Sequence, residues 1–159
     1  MNRVAVAVTG ASAGTLAAWV AYDYQTCHPM RKMKGYDTKG SWIRLHNTVR
    51  QRLSVLQPTF TLTTLDAYDG VQKPRIYFSS QGIVYDVTES EMFESAYALW
   101  KGKDATFCLA RMSMDKNDIN RTDWKSLTDK DLESLQSWDS YFQQKYFIKG
   151  RLKEYAQDY

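Results

Sequence analysis

Two short apolar runs flank a tight-turn dipeptide in the middle of this chain: RIYFS over 75–79, then Gln81-Gly82, then IVYDV over 83–87. Alternation at period two on either side of such a turn specifies a β-hairpin. Ile76 and Phe78 share one side of the first strand, and Ile83, Tyr85 and Val87 share one side of the second. Asp69-Gly70 supplies a turn ahead of the hairpin. Residues 91–100 read as a short helix ended by Gly102, because a helix C-terminus favours glycine. Asp104 is placed to cap a second helix over 105–112. The stretch 60–109 therefore packs a turn, a hairpin and two short helices into one compact run.

Residues 117–124 form a polar loop. Thr128 and Asp131 resemble a capping box with Asp in place of Glu. They open a helix over 129–145 whose apolar stripe is Leu132, Leu135, Trp138 and Phe142. A last strand is expected over 146–148, and Lys149-Gly150 turns the chain toward a basic tail. Together these elements make an α+β domain over 57–155, close to the usual domain size.

The N-terminal part is different. Residues 4–22, VAVAVTGASAGTLAAWVAY, carry no charge. That length is near the ~20 residues a helix needs to cross a bilayer, so 4–24 is read as a transmembrane anchor. Trp19, Tyr22 and Tyr24 cluster at its far end like an aromatic belt. Arg31, Lys32 and Lys34 follow, against Arg3 alone on the other side, which puts the C-terminal domain in the cytosol or the mitochondrial matrix. A cleaved signal peptide is the competing reading, with Ala17 and Ala18 near a cleavage site. Gly10, Gly14 and Ala18 form a small-residue stripe that suits close helix packing or simply reflects an Ala/Gly-rich run. The basic linker 25–56 contains an amphipathic helix over 41–56. Its stripe is Trp42, Leu45, Val49, Leu53 and Leu56, with Arg44, Arg50 and Arg52 mostly off it. Such a helix fits a membrane surface, a partner subunit or its own domain.

A net charge of +3 over 159 residues argues against a dedicated nucleic-acid binder, which would be more basic and more clustered. Five Trp and eleven Tyr suit a small core and its interfaces. Cys27 and Cys108 do not make a disulfide framework or a CxxC pair, and Cys108 reads as a small buried hydrophobe.

The motifs DG-x-x-x-PR (69–75), GIVYDVT (82–88) and GKDAT (102–106), followed by SLTDKDLESLQSWDSYFQQKY (126–146), resemble the membrane-associated progesterone receptor family. The likeness covers about 95 residues. It implies a cytochrome b5-like haem/steroid-binding fold, a small mixed sheet with short helices, preceded by a transmembrane helix and the amphipathic linker helix. It also implies a haem held by one tyrosine oxygen, a known haem ligand, and binding of steroids. By position in these motifs, Tyr97 would be the axial metal ligand. Lys145 and Tyr146 would line the haem edge, with Lys145 pairing a propionate. The other reading of Tyr97 is a core or interface tyrosine. The chain departs from the family pattern just ahead of it, where Phe93-Glu94-Ser95-Ala96 replaces a Gly/Pro-rich loop that carries a second tyrosine.

Electron transfer through two axial histidines is set aside, because His28 and His46 both lie upstream of the domain. No GxSxG, P-loop or GxGxxG appears. Asp115, Asp118, Asp123, Asp129 and Asp131 do not have EF-hand spacing and read as a solvated face with helix caps. Nothing here argues for an enzyme. Two functions remain. One is a non-catalytic accessory subunit of a larger membrane complex, of respiratory-chain type in the mitochondrial inner membrane. Its partners would be other subunits, met through the anchor and linker, and the lipid bilayer. The other is a haem- or sterol-binding protein that regulates or supplies haem enzymes.

Overall fold

A computed structural model describes residues 38–53 and 57–158. The anchor at 4–24, with Gly10, Gly14 and Ala18, lies outside the described residues, as do Cys27 and His28. Among the described residues, no helix is long and apolar enough to cross a membrane.

The elements run in this order: α1 (Thr38–Arg52), β1 (Thr59–Phe60), α2 (Leu62–Asp66), β2 (Tyr77–Ser80), β3 (Ile83–Asp86), α3 (Glu91–Glu94), α4 (Thr106–Ala110), α5 (Asp129–Lys145) and β4 (Phe147–Leu152), with short 3₁₀ turns between and after them. The four strands form one mixed sheet ordered β1-β4-β3-β2. β2 and β3 are the expected hairpin, with Phe78 opposite Tyr85 and Ser80 opposite Ile83. Gln81 and Gly82 both have positive φ, 50° and 72°, the geometry that matches the right-handed twist of a hairpin.

The hairpin is buried on both faces. Ile76, Phe78, Tyr85 and Val87 enter the main core with Phe93, Trp100, Phe107, Leu135, Phe142 and Ile148. Val84 faces the other way, into a smaller cluster with Leu65, Leu152 and Tyr155. The long helix α5 begins at a complete capping box: the Asp131 amide donates to Thr128 Oγ1 (3.3 Å) and the Thr128 amide to Asp131 Oδ2 (3.0 Å). Hydrogen bonds from Thr128 hold the Asp131 carboxyl below its usual pKa.

Several expectations need correction. The helix expected over 91–100 stops at Glu94, and 98–100 is a separate 3₁₀ turn. Ser95 leaves helical geometry while its Oγ donates to the Glu91 carbonyl (3.0 Å), a local bond that competes with the helix. The helix expected over 105–112 is only Thr106–Ala110, with Ala105 rather than Asp104 at its cap position. On α5, Leu135 and Phe142 are buried, but Leu132 is exposed. Lys149-Gly150 is not a turn. β4 runs straight through it to Leu152, because β1 pairs alongside in parallel, Thr59 with Arg151 and Phe60 with Leu152. Asp118 is not part of a solvated face: it is buried and paired with both Arg111 and Arg121 at 3.2 Å.

α1 also differs. It starts at Thr38, and its buried residues are Ile43 and Asn47 rather than the predicted stripe. Trp42 (56% exposed) and Val49 (45%) face outward. The helix packs on α5 and β4, held there by the Asn47 side chain.

Candidate functional site

Tyr97 follows the break after α3. Its amide donates to the Met92 carbonyl (2.8 Å), which curls the chain back toward the core. Its ring lies flat on Trp100, with centroids 4.6 Å apart and planes at 11°, and stands edge-on to Phe93 at 5.7 Å. Tyr146 caps the C-terminal end of α5. It is buried, its hydroxyl shares a hydrogen bond with Ser90 Oγ (2.8 Å), and its ring also meets Phe93 edge-on, at 6.1 Å. Phe93, fully buried, thus stands between Tyr97 and Tyr146. Lys145 Nζ donates to the Tyr141 hydroxyl (2.6 Å) and sits over the Tyr141 and Tyr146 rings at 5.0 and 5.4 Å. Partial burial would lower the Lys145 ammonium pKa, but the hydrogen bond to Tyr141 and the neighbouring phenols outweigh it and raise it above the usual lysine value.

Lys145 and Tyr146 line an open cavity of about 700 Å³. Arg75, Asp86, Glu89, Glu91 and Lys149 bring charge to its wall, and Val87, Met92 and Phe147 bring apolar surface. Asp86 is the centre of this charge, 3.4 Å from Lys149 Nζ and 3.8 Å from Arg75. Gly40 and Ile43 of α1 close one side. Tyr97 is not part of the wall.

The structure therefore brings Lys145 and Tyr146 together and leaves Tyr97 behind Phe93. An axial tyrosine binds iron through its phenol oxygen, which must face a space large enough for a macrocycle. Tyr97 does not line the cavity that Lys145 and Tyr146 share, and the carboxylates of that cavity, Asp86, Glu89 and Glu91, stand beside Arg75, Lys145 and Lys149. These residues as placed do not fit haem. Among the described residues, no group of three or more His, Cys, Asp or Glu could hold a metal ion. A sterol would want a mainly apolar pocket with few polar groups, whereas this wall mixes apolar side chains with six charged ones.

No protein-family model matches the chain. Membrane-associated progesterone receptor component 2 of Rattus norvegicus is 36% identical over 99 residues, which are 58% of this chain and 45% of that protein. A solved Arabidopsis thaliana protein described as having a cytochrome b5 like fold superposes with a TM-score of 0.54 at 32% identity, over 60% of this chain and 91% of that one. Probable steroid-binding protein 3 of Arabidopsis thaliana is 33% identical over 97 residues, which are 58% of this chain and 96% of that protein. The chain belongs to the membrane-associated progesterone receptor family. Its domain has the family's cytochrome b5-like α+β fold, and the chain spans under half the length of the longer, membrane-associated relative.

The family's motifs do structural work in this member. In DG-x-x-x-PR, Asp69 Oδ1 accepts from the Val71 and Gln72 amides (both 2.8 Å). Those bonds hold its carboxyl below the usual range. In the DVT segment, Thr88 Oγ1 donates to Asp86 (2.6 Å) and accepts from the Ile76 amide (3.1 Å). In GKDA, Gly102 has φ +71°, and a Cβ there would meet the Asp66 carbonyl oxygen at 2.8 Å. Lys103 pairs with Asp66.

Asp104 is wholly buried. It accepts from Ser79 Oγ (2.7 Å), Thr106 Oγ1 (3.1 Å) and the Tyr155 hydroxyl (3.1 Å). Burial pushes its pKa up to about 6 against those stabilising bonds. Cys108 is likewise buried, and desolvation first, then Asp118, lifts its thiol to about 11. It is an inert thiol.

Sequence reasoning missed Asn47. Its Nδ2 donates to the Gln143 and Tyr146 carbonyls, and its Oδ1 accepts from the Ile148 amide, all at 2.8 Å. No local signal marks it, because its partners lie about a hundred residues away.

Proposed function

We propose that this chain is a membrane-anchored, non-catalytic subunit of a larger membrane complex, in which the cytochrome b5-like domain serves as a packing module. The observation that carries this reading is the stacking of Tyr97 on Trp100. The residue at the family's ligand position is partly buried and packs against the domain's aromatic core, and it does not line the cavity that holds Lys145 and Tyr146. The docking of α1 through Asn47 supports it, because the described helix of the linker region packs on the domain. The uncharged run at 4–22 is the anchor in this reading. The basic residues Arg31, Lys32 and Lys34 favour a domain on the cytosolic side, which for a mitochondrial inner-membrane protein is the matrix side. The test is gentle detergent extraction followed by native electrophoresis and subunit quantification. Co-migration at fixed stoichiometry with other membrane proteins supports the reading, and migration as a free chain overturns it.

A second reading is a sterol-binding protein. In its favour, Lys145 and Tyr146 share one cavity wall, and relatives carry steroid-binding names. Equilibrium binding of labelled progesterone or cholesterol to the purified chain tests it. Saturable uptake lost in Tyr146→Ala would support this reading.

A further inference from the structure

The outward face of α1 presents apolar side chains to its surroundings. Trp42 and Val49 are exposed there, and they line an open, mostly apolar groove of about 500 Å³ together with Leu45, Leu53 and the Arg50 side chain. The opposite face is already occupied, because Ile43 is buried and Asn47 is hydrogen-bonded to α5 and β4. The helix cannot roll its apolar stripe onto its own domain without breaking those three bonds.

Charge selects among the remaining occupants. The helix sequence TKGSWIRLHNTVRQR contains Lys39, Arg44, Arg50 and Arg52 and no acidic residue. Upstream, Arg31, Lys32 and Lys34 face Asp37 alone over 25–37. An exposed apolar stripe with a Trp, flanked by cations, is the composition of a helix that lies in the headgroup layer of an anionic membrane. Each cation near such a surface contributes on the order of 1 kcal/mol. The position along the chain agrees, since only 23–37 separates α1 from the uncharged run at 4–22. A segment of that length spans at most about 50 Å when extended.

We propose that the Trp42–Val49 face of α1 is a membrane-surface site that binds anionic lipid headgroups and, through the Asn47 lock, fixes the tilt of the whole domain on the bilayer. The inference rests on the reading of the chain as membrane-anchored. It adds a second, peripheral contact to that anchor.

The experiment uses the full chain in vesicles of phosphatidylcholine with phosphatidylserine. Cys27→Ser removes a competing label site, and the buried, high-pKa Cys108 thiol does not take up label at neutral pH. A nitroxide is placed at Val49→Cys, at Trp42→Cys as a second position, and at Val71→Cys, where the domain is 89% exposed, as the aqueous reference. Accessibility to oxygen and to a water-soluble nickel chelate is read by power saturation, and alkaline carbonate extraction is run in parallel. The expected result is an oxygen-to-nickel ratio several-fold higher at 49 and 42 than at 71, falling when phosphatidylserine is omitted or salt is raised. Nickel accessibility at 49 and 42 equal to that at 71 overturns the proposal. So does protection of these sites only when other membrane proteins are present, which would mean a protein occupant. Carbonate extraction separates the two claims. A retained chain with aqueous labels at 42 and 49 sinks this inference and leaves the anchor. A released chain with lipid-exposed labels does the reverse.

Discussion

Asn47 Oδ1 accepts a hydrogen bond from the Ile148 backbone amide at 2.8 Å, across a separation of 101 residues. The same side chain donates to the Gln143 and Tyr146 carbonyls, so one buried amide serves three backbone groups at the junction of α5 and β4. Those groups sit where the helix ends and the strand begins, and helix ends leave backbone groups that need partners.

Replacing Asn47 with Ala should therefore leave three buried polar groups without partners. Each such loss costs about 1–3 kcal/mol when fully buried, and water entering at the helix end offsets part of it. The expected outcome is a loss of about 2–4 kcal/mol in urea unfolding. Amide exchange across 38–52 should rise sharply, with little change in β2 and β3. Unchanged exchange in α1 would show that Ile43 packing alone holds the helix.

Asp104 gives a pH signature. Its pKa is about 6 in the folded chain against an ordinary 3.8, so the folded state holds the proton more tightly than the unfolded one. Between about pH 4 and 6 the folded state carries more protons, and stability must fall as pH rises through that window. Above pH 6 the loss is complete, on the order of 2–3 kcal/mol. Asp104→Asn, which cannot ionise, should lack this fall. The measurement is the difference in melting temperature between the variant and the parent from pH 4 to 8. It should shift in favour of the variant between pH 4 and 6 and then level off.

Two glycines should respond in opposite directions. A Cβ at Gly150 would run into the Pro58 carbonyl oxygen, because the residue leading into β1 lies alongside β4 there and the Arg151 amide donates to that same carbonyl. Gly150→Ala should cost about 2–4 kcal/mol, as overpacking against backbone does. At Gly40 the nearest atom to a Cβ is the Gln144 carbonyl oxygen at 4.0 Å, an ordinary contact. Gly40→Ala in α1 should stabilise by about 0.5–1 kcal/mol, the helix-propensity difference. Chemical denaturation of both variants checks the pair.

The elements that were legible in the sequence are those whose causes are local. The Gln81-Gly82 hairpin and the Thr128/Asp131 capping box are written in consecutive residues, and both stand where the pattern put them. Gly102 has positive φ, although the helix it was expected to end stops at Glu94. Features set by distant partners were not legible. The strand passes through Lys149-Gly150 because β1 lies beside it. Asp104 stands one residue before the cap position, where it accepts from the Thr106 amide (3.2 Å) and is also bound into a buried network with Ser79 and Tyr155. Periodicity found an apolar stripe on α1 but not which way it points. The packed face turned on Ile43 and Asn47, one of them polar. For the candidate site, motif positions located Lys145 and Tyr146 on one wall. For Tyr97, the motif position and the replaced Gly/Pro loop left an axial ligand and a core or interface tyrosine both open, and the packing partners Phe93 and Trp100 could not be named from sequence.

The account's central claim is that Tyr97 serves the domain's packing and not a prosthetic group. The most direct measurement is a haemin titration of the purified full chain followed by absorption in the Soret region, alongside Tyr97→Phe. The account predicts no stoichiometric Soret band in the parent, and equal, weak, non-saturating absorption in the two proteins. A saturable band at one haem per chain that disappears in Tyr97→Phe would contradict it, because the tyrosine would then be leaving Trp100 to bind iron.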